Sequence, residues 1–205
     1  MNANISLRNL PPDHNPFSSR ATRPGALSYR FVNGCSLTKL VADLEAHGWW
    51  GEILGPHGSG KSTLLQALLD PLRAAGRVVQ QYTLHLGDKR MAIAGTDLKS
   101  WNVTTIVIVD GYEQLGGWNR ATLKKICRQQ GVGLLVTAHQ SVGFPTLFST
   151  PVSLDLAQEL VASLLPGDCT LIAREDVALS YQRWQGNLRE VFFELYDLYE
   201  LRRTQ

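Results

Sequence analysis

The run Gly55-Pro56-His57-Gly58-Ser59-Gly60-Lys61-Ser62-Thr63 sets glycines, a lysine and hydroxyl side chains within one short stretch. It fits G-x-x-x-x-G-K-[ST], the Walker A or P-loop pattern. Residues without Cβ reach positive φ, so the backbone can wrap closely around an anion. Its N–H groups then point inward at phosphate oxygens, and a helix starting at the loop's end adds the positive end of its dipole. In that pattern Lys61 reaches the β- and γ-phosphates, and the Ser62 hydroxyl ligates Mg²⁺. The chemistry expected of Gly55–Thr63 is therefore the holding of a nucleoside triphosphate. The alternative is a chance glycine turn.

Such a loop works only between a strand and a helix. Trp49–Leu54 is a short apolar run bounded by glycines and reads as a buried strand. After the loop, helical periodicity runs to about Ala75, with Gly76 at C′ and Pro71 as a place to kink or stop. Thr104–Asp110 is a β-branched run and the clearest strand of the chain. Its form, four apolar residues and then an acid, is that of Walker B. Asp110, about fifty residues after Lys61, can hold Mg²⁺ directly or through water; a strand-end cap is the alternative. Further strands are expected around Arg77–Leu86, Gly133–Ala138 and Cys169–Ala173. Helices are expected from Ser36 to Gly48, from a cap at Asn119 to Gly131, and from Ser153 onward. A last helix starts at Asn187, with Glu190 as capping-box partner. Residues 87–102 are ambiguous, and residues 1 to about 30 read as an irregular, extended arm.

Three further segments carry a resemblance. Asp110-Gly111-Tyr112-Glu113-Gln114 resembles the D-G-x-[DE] form of NACHT and other STAND-type ATPases. Thr137-Ala138-His139 resembles the switch-histidine run of transporter ATPases, and its position matches sensor 1 of AAA+ proteins. Trp184-Gln185-Gly186-Asn187-Leu188-Arg189-Glu190 is similar to a lid segment of AAA+ enhancer-binding ATPases whose arginine is sensor 2. Roughly residues 36–203 thus resemble a small P-loop ATPase of the additional-strand, catalytic-glutamate class, AAA+/STAND-like. The resemblance implies ATP and Mg²⁺ as ligands and Ser62 with Asp110 on the metal. It implies Glu113, with Gln114 in reserve, orienting the attacking water. It gives His139, or else Thr137, to the γ-phosphate, and Arg189 as a sensor. The bland alternatives are a helix-start glutamate, a satisfied structural histidine and a surface arginine. The fold implied is α/β: a mostly parallel five-stranded sheet with helices on both faces and a very small C-terminal helical appendage. The expected division is an arm over 1–35, a core over 36–175 and a lid-like segment over 176–205. In the arm, Pro16, Phe17, Arg20, Arg23 and Pro24 stand where AAA+ proteins often contact adenine; simple packing on the domain is the alternative.

Composition sets the remaining bounds. The chain has 205 residues, 44% hydrophobic, with a formal net charge of +2, enough for one sizeable core and no clear nucleic-acid signal. No apolar run reaches membrane-spanning length, and Cys35, Cys127 and Cys169 are too far apart for a metal cluster. A cytoplasmic protein with reduced thiols is expected. No Lys or Arg occurs between Arg128 and Arg174, so the interval where AAA+ rings carry an arginine finger is empty, and a conventional hexameric ring is not expected. The function expected is Mg²⁺-dependent ATP binding with slow hydrolysis, as a switch or motor accessory with a protein partner. A small-molecule or nucleotide kinase, and an ATP-gated binding module without turnover, are the alternatives.

Overall fold

The computed structural model describes residues 14–31, 34–167 and 169–205. The first thirteen residues of the expected arm, Pro11 and Pro12 among them, lie outside the described residues. The chain divides into two compact units.

One unit comprises Arg30–Gly55 and Leu64–Thr150. Its sheet is wholly parallel, in the order β2-β3-β4-β1-β5. The strands are β1 (Trp50–Leu54), β2 (Val78–Thr83), β3 (Thr105–Asp110), β4 (Gly133–Ala138) and β5 (Thr146–Ser149). The unit's helices are α2 (Leu37–Ala46), α4 (Gly95–Ser100), α5 (Gly117–Gln129) and most of α3 (Lys61–Ala74). β4 is buried along its length and β3 up to the half-buried Asp110, as the continuous apolar runs of a two-sided parallel sheet require. Val107 and Val109 of β3 join Leu134 and Val136 of β4 on one face, with Leu123 and Cys127 of α5. Successive strand side chains point to opposite faces, so the equally buried Ile106 and Ile108 serve the other.

The other unit comprises Met1–Tyr29, Pro56–Thr63 and Pro151–Gln205. It contains α1 (Ser19–Thr22), α6 (Leu154–Leu164), α7 (Arg174–Arg183) and α8 (Leu188–Arg203). Its core joins Phe17 to Ala157 and Val161 of α6, Val177 of α7, and Val191, Leu195 and Tyr199 of α8. Phe17 stacks on Phe192 at 6.4 Å and meets Tyr199 edge-on at 6.2 Å. Arg202 grips Asp176 with two hydrogen bonds, of 2.6 and 3.0 Å, and donates to the Leu171 carbonyl.

Several expectations are corrected. No strand forms at Cys169–Ala173; the segment leads into α7, which the sequence reading did not anticipate. The fifth strand is β5, which pairs with β1. Leu147 lies against Gly51, where any Cβ would fall 2.5 Å from its Cδ1. Asn119 does not cap α5. That role falls to Gly116, while the Asn119 amide donates to the Lys89 carbonyl. Asn187 makes no side-chain cap on α8, so the capping box with Glu190 does not form. The arm contains one helical turn, α1. Leu201 of α8 is exposed, because the helical period carries the buried stripe through 191, 195 and 199.

One buried acid holds the return from β4 to β5. Glu52 is fully buried in β1 and accepts hydrogen bonds from the Val142 and Phe144 amides and the Thr146 hydroxyl. Burial alone would raise its pKa. The hydrogen bonds of Ser141, Val142, Phe144 and Thr146 outweigh burial and hold it below its ordinary 4.5. Asp176 is held below its ordinary 3.8, chiefly by Arg202. A depressed folded pKa contributes stability that is complete above the unfolded value and lost as pH falls through the folded one. The unfolding midpoint should be flat from about pH 7 to pH 5 and drop below about pH 4. Glu52→Ala should cost about 3 kcal/mol at pH 7 in urea unfolding, because it strands several buried donors.

Candidate functional site

All five strands run the same way, so their C-terminal ends share one edge of the sheet. Asp110 ends β3, His139 follows β4, and Gly55 follows β1. Gly55 is tied to the end of β4 by its N–H bond to the Ala138 carbonyl, 3.2 Å. The Walker A loop leaves the sheet there and enters α3 at Lys61. Ligand sites of open parallel sheets form at this edge.

Thr137, fully buried, is the hub of this edge. Its hydroxyl donates to Asp110 Oδ1 at 2.6 Å and accepts from the Gly111 amide at 2.9 Å. Thr137 therefore holds the carboxylate, a role the sequence reading did not assign. Gly111 turns the chain at φ +83°, where a Cβ would lie 2.7 Å from the Leu84 carbonyl oxygen. Only glycine fits that close turn. The 3₁₀ turn Tyr112–Gln114 follows, and Arg120 of α5 donates to the Glu113 and Leu115 carbonyls. This turn sets Glu113 beside His139, with Oε1 and Nε2 3.4 Å apart. Glu113 Oε2 is buried without a hydrogen-bond partner. A carboxylate with one oxygen on an imidazole and the other unpaired in a buried position can accept a proton from water. Beneath it, burial pushes the Tyr112 hydroxyl up to about 12, with Arg120 opposing and Cys127 adding, so the phenol stays neutral. Gln114 is half-buried, with its backbone N–H on the Gly111 carbonyl.

Pro56–Thr63 of the Walker A loop belong to the other unit. Gly58 and Gly60 stand at φ +69° and +89°, the positive values that let the loop close on itself. The Ser59 hydroxyl donates to the Pro56 carbonyl at 2.8 Å. Lys61 Nζ reaches back to the same carbonyl at 2.7 Å, which lays its ammonium across the loop. Pro56 and His57 are exposed, whereas Ser62 and Thr63 are half-buried in the first turn of α3. Two neighbours were not foreseen. Tyr29 lies over Gly60, its Cε2 3.4 Å from where a Cβ would sit. The Asn187 amide packs on Gly58, its Oδ1 1.9 Å from the corresponding position. A glycine, with no side chain, accepts such close neighbours. Arg189, two residues on, is exposed in the first turn of α8. The loop's glycine conformation and the ammonium above it fit a chain of phosphates.

By sequence, no family model and no curated protein matches the chain. By structure, it matches RuvB of Thermotoga maritima (a lysine-to-arginine mutant) with TM-score 0.52 and 18% identity, over 78% of this chain and 59% of that one. It matches a DNA replication initiation factor with TM-score 0.55 and 15% identity, over 79% and 59%. It matches NtrX of Brucella abortus in complex with ATP, with TM-score 0.55 and 13% identity, over 85% and 51%. These are AAA+ P-loop ATPases. The chain has their fold. It spans between 51% and 59% of the length of these structures. As expected, the P-loop fold here is a five-stranded parallel sheet. Its β4 stands between β1 and β3. Among the described residues no helix is long and apolar enough to cross a membrane.

Thr137→Val removes both hydrogen bonds of the hub and should cost about 1–3 kcal/mol in urea unfolding. Thr137→Ser keeps the hydroxyl and should recover most of that loss.

Proposed function

We propose that the protein binds ATP with Mg²⁺ in the Walker A loop and hydrolyses it slowly, acting as a nucleotide switch or motor accessory. The observation that carries this reading is the pairing of Glu113 with His139 beside an Asp110 fixed by Thr137, at the strand edge where β1 gives way to the P-loop. NtrX, of similar fold, is described with ATP and with ADP, which supports the choice of nucleotide.

In this reading the loop amides and Lys61 counter the phosphate charge. Ser62 and Asp110 hold the Mg²⁺, which supplies further charge neutralisation when bound. Glu113 Oε2 accepts a proton from the attacking water. The water oxygen bonds to the γ-phosphorus as the bond to the bridging oxygen breaks, releasing ADP and phosphate. His139 orients Glu113 and reports γ-phosphate occupancy, and Arg189 serves as a sensor from the first turn of α8. Slow turnover follows from the Lys- and Arg-free stretch between Arg128 and Arg174, since an arginine finger contributes orders of magnitude in rate. The protein acts outside a conventional hexameric ring and passes its nucleotide state to a protein partner, in the cytoplasm.

Phosphate release by the purified chain, with no acceptor added, tests the reading. Lys61→Ala should abolish ATP binding. Glu113→Gln should keep binding and lower release about 100-fold. Release only with an added acceptor would mean a kinase, and binding without release would mean a module without turnover; either result overturns hydrolysis.

A further inference from the structure

A helix-start asparagine normally spends its side-chain oxygen on the first N–H groups of its own helix. Asn187 does not. It makes no cap bond on α8, and its Oδ1 is buried with no hydrogen-bond partner. That oxygen is turned onto Gly58, against the face where any side chain would collide at 1.9 Å. The Leu188 amide, first of α8, lies only 2.9 Å from the same position. The approach to α8 is itself held in an uncommon conformation, with Gln185 at φ +51° and Gly186 at φ +81°. Gly186 is hemmed in by the Tyr181 hydroxyl and Val152. A tight turn therefore delivers an unpaired acceptor to the middle of the Walker A loop.

We propose that Asn187 is a positioning residue that makes the first turn of α8 respond to occupancy of the Walker A loop. This rests on the loop binding a nucleotide, as argued above. The contact at Gly58 is made to loop backbone, and loop backbone must adjust when its N–H groups engage phosphates. An unpaired buried acceptor is the part of the contact most sensitive to that adjustment, because a small rotation of a loop peptide changes what the oxygen faces. Nucleotide-bound and nucleotide-free loops then differ in their interaction with α8. That difference is what any coupling between the two requires.

The test compares wild type with Asn187→Ala, using ADP with Mg²⁺ as the probe. Three readouts are taken: ADP affinity by calorimetry, the melting temperature without nucleotide, and hydrogen exchange over Leu188–Val191. In wild type, ADP should slow exchange in that turn. Asn187→Ala should bind ADP about 5- to 10-fold more weakly and lose the effect of ADP on exchange. Its melting temperature without nucleotide should be unchanged or higher, because no cap bond is lost and an unpaired oxygen is removed. A lower melting temperature with unchanged affinity would make Asn187 a plain structural residue and overturn the proposal. So would an ADP effect on α8 that survives the substitution. If Asn187→Ala fails to fold, the near-isosteric Asn187→Asp takes its place. It sets a negative charge beside the loop and should weaken ADP binding further, whereas unchanged affinity overturns the proposal. If wild type binds ADP but the variant behaves identically, the coupling alone falls. If wild type binds neither ADP nor ATP, the nucleotide reading falls with it.

Discussion

The hydroxyl of Thr137 joins the ends of two neighbouring strands. It fixes Asp110 at the end of β3 while accepting the amide of Gly111, and the arrangement beyond depends on it. Because Gly111 is held there, the chain can turn at a φ no other residue favours. Because the chain turns there, Tyr112 goes into the core and Glu113 comes up against His139. Arg120 then clamps the carbonyls of the same turn from α5. One hydroxyl, with two hydrogen bonds, thus connects sheet register to the geometry of two acids and a histidine. Asp110 and Thr137 lie on adjacent parallel strands, so the connection is set by strand order.

The opposite edge of the sheet is built from other materials. Arg77 lies over Trp49 at 4.4 Å, Lys124 over Phe144 at 4.3 Å and Arg128 over Trp50 at 5.4 Å. These cations cover ring faces that strand starts would otherwise leave wet, a use of aliphatic stems and ring quadrupoles together. Glu52 supplies the buried counter-charge and the acceptors for the turn into β5. Here the stacked cations and the Glu52 hydrogen bonds carry the packing, although Arg77 Nε is buried without a hydrogen-bond partner. At the other edge Glu113 Oε2 is left unpaired. An unsatisfied carboxylate oxygen is costly in a folded protein and commonly marks a place where chemistry or a ligand completes the network.

The helical unit has a comparable contrast. Asp176, Arg202 and the Leu171 carbonyl satisfy one another, and the Phe17, Phe192 and Tyr199 rings fill the core. Asn187, at the start of the longest helix, instead leaves its oxygen unpaired against Gly58. Residues that forgo a favourable local bond are informative, because local propensity then yields to a tertiary demand.

The strand, loop and helix around Gly55–Thr63, the strand ending at Asp110, and the strand–helix alternation of a parallel sheet are legible in the chain alone. Each of these is a local signal: glycine spacing, a β-branched run, an apolar period. The family resemblance pointed to Glu113 and His139, whose side chains the fold brings together. The sequence reading misplaced the fifth strand, because Thr146–Ser149 is short and half-exposed and its pairing with β1 depends on Gly51 leaving room for Leu147. It gave Asn119 and Asn187 to helix caps by propensity, whereas their side chains were taken by the Lys89 carbonyl and by Gly58. Only the tertiary structure decided that Thr137 serves Asp110, that Tyr29 and Asn187 border the Walker A loop, and that Arg120 braces the turn at Glu113. Arg120 reaches back only 5 and 7 residues; the other contacts join residues 26 to 129 positions apart in the chain. No local period or propensity encodes such meetings; they arise when the sheet order and helix packing are set.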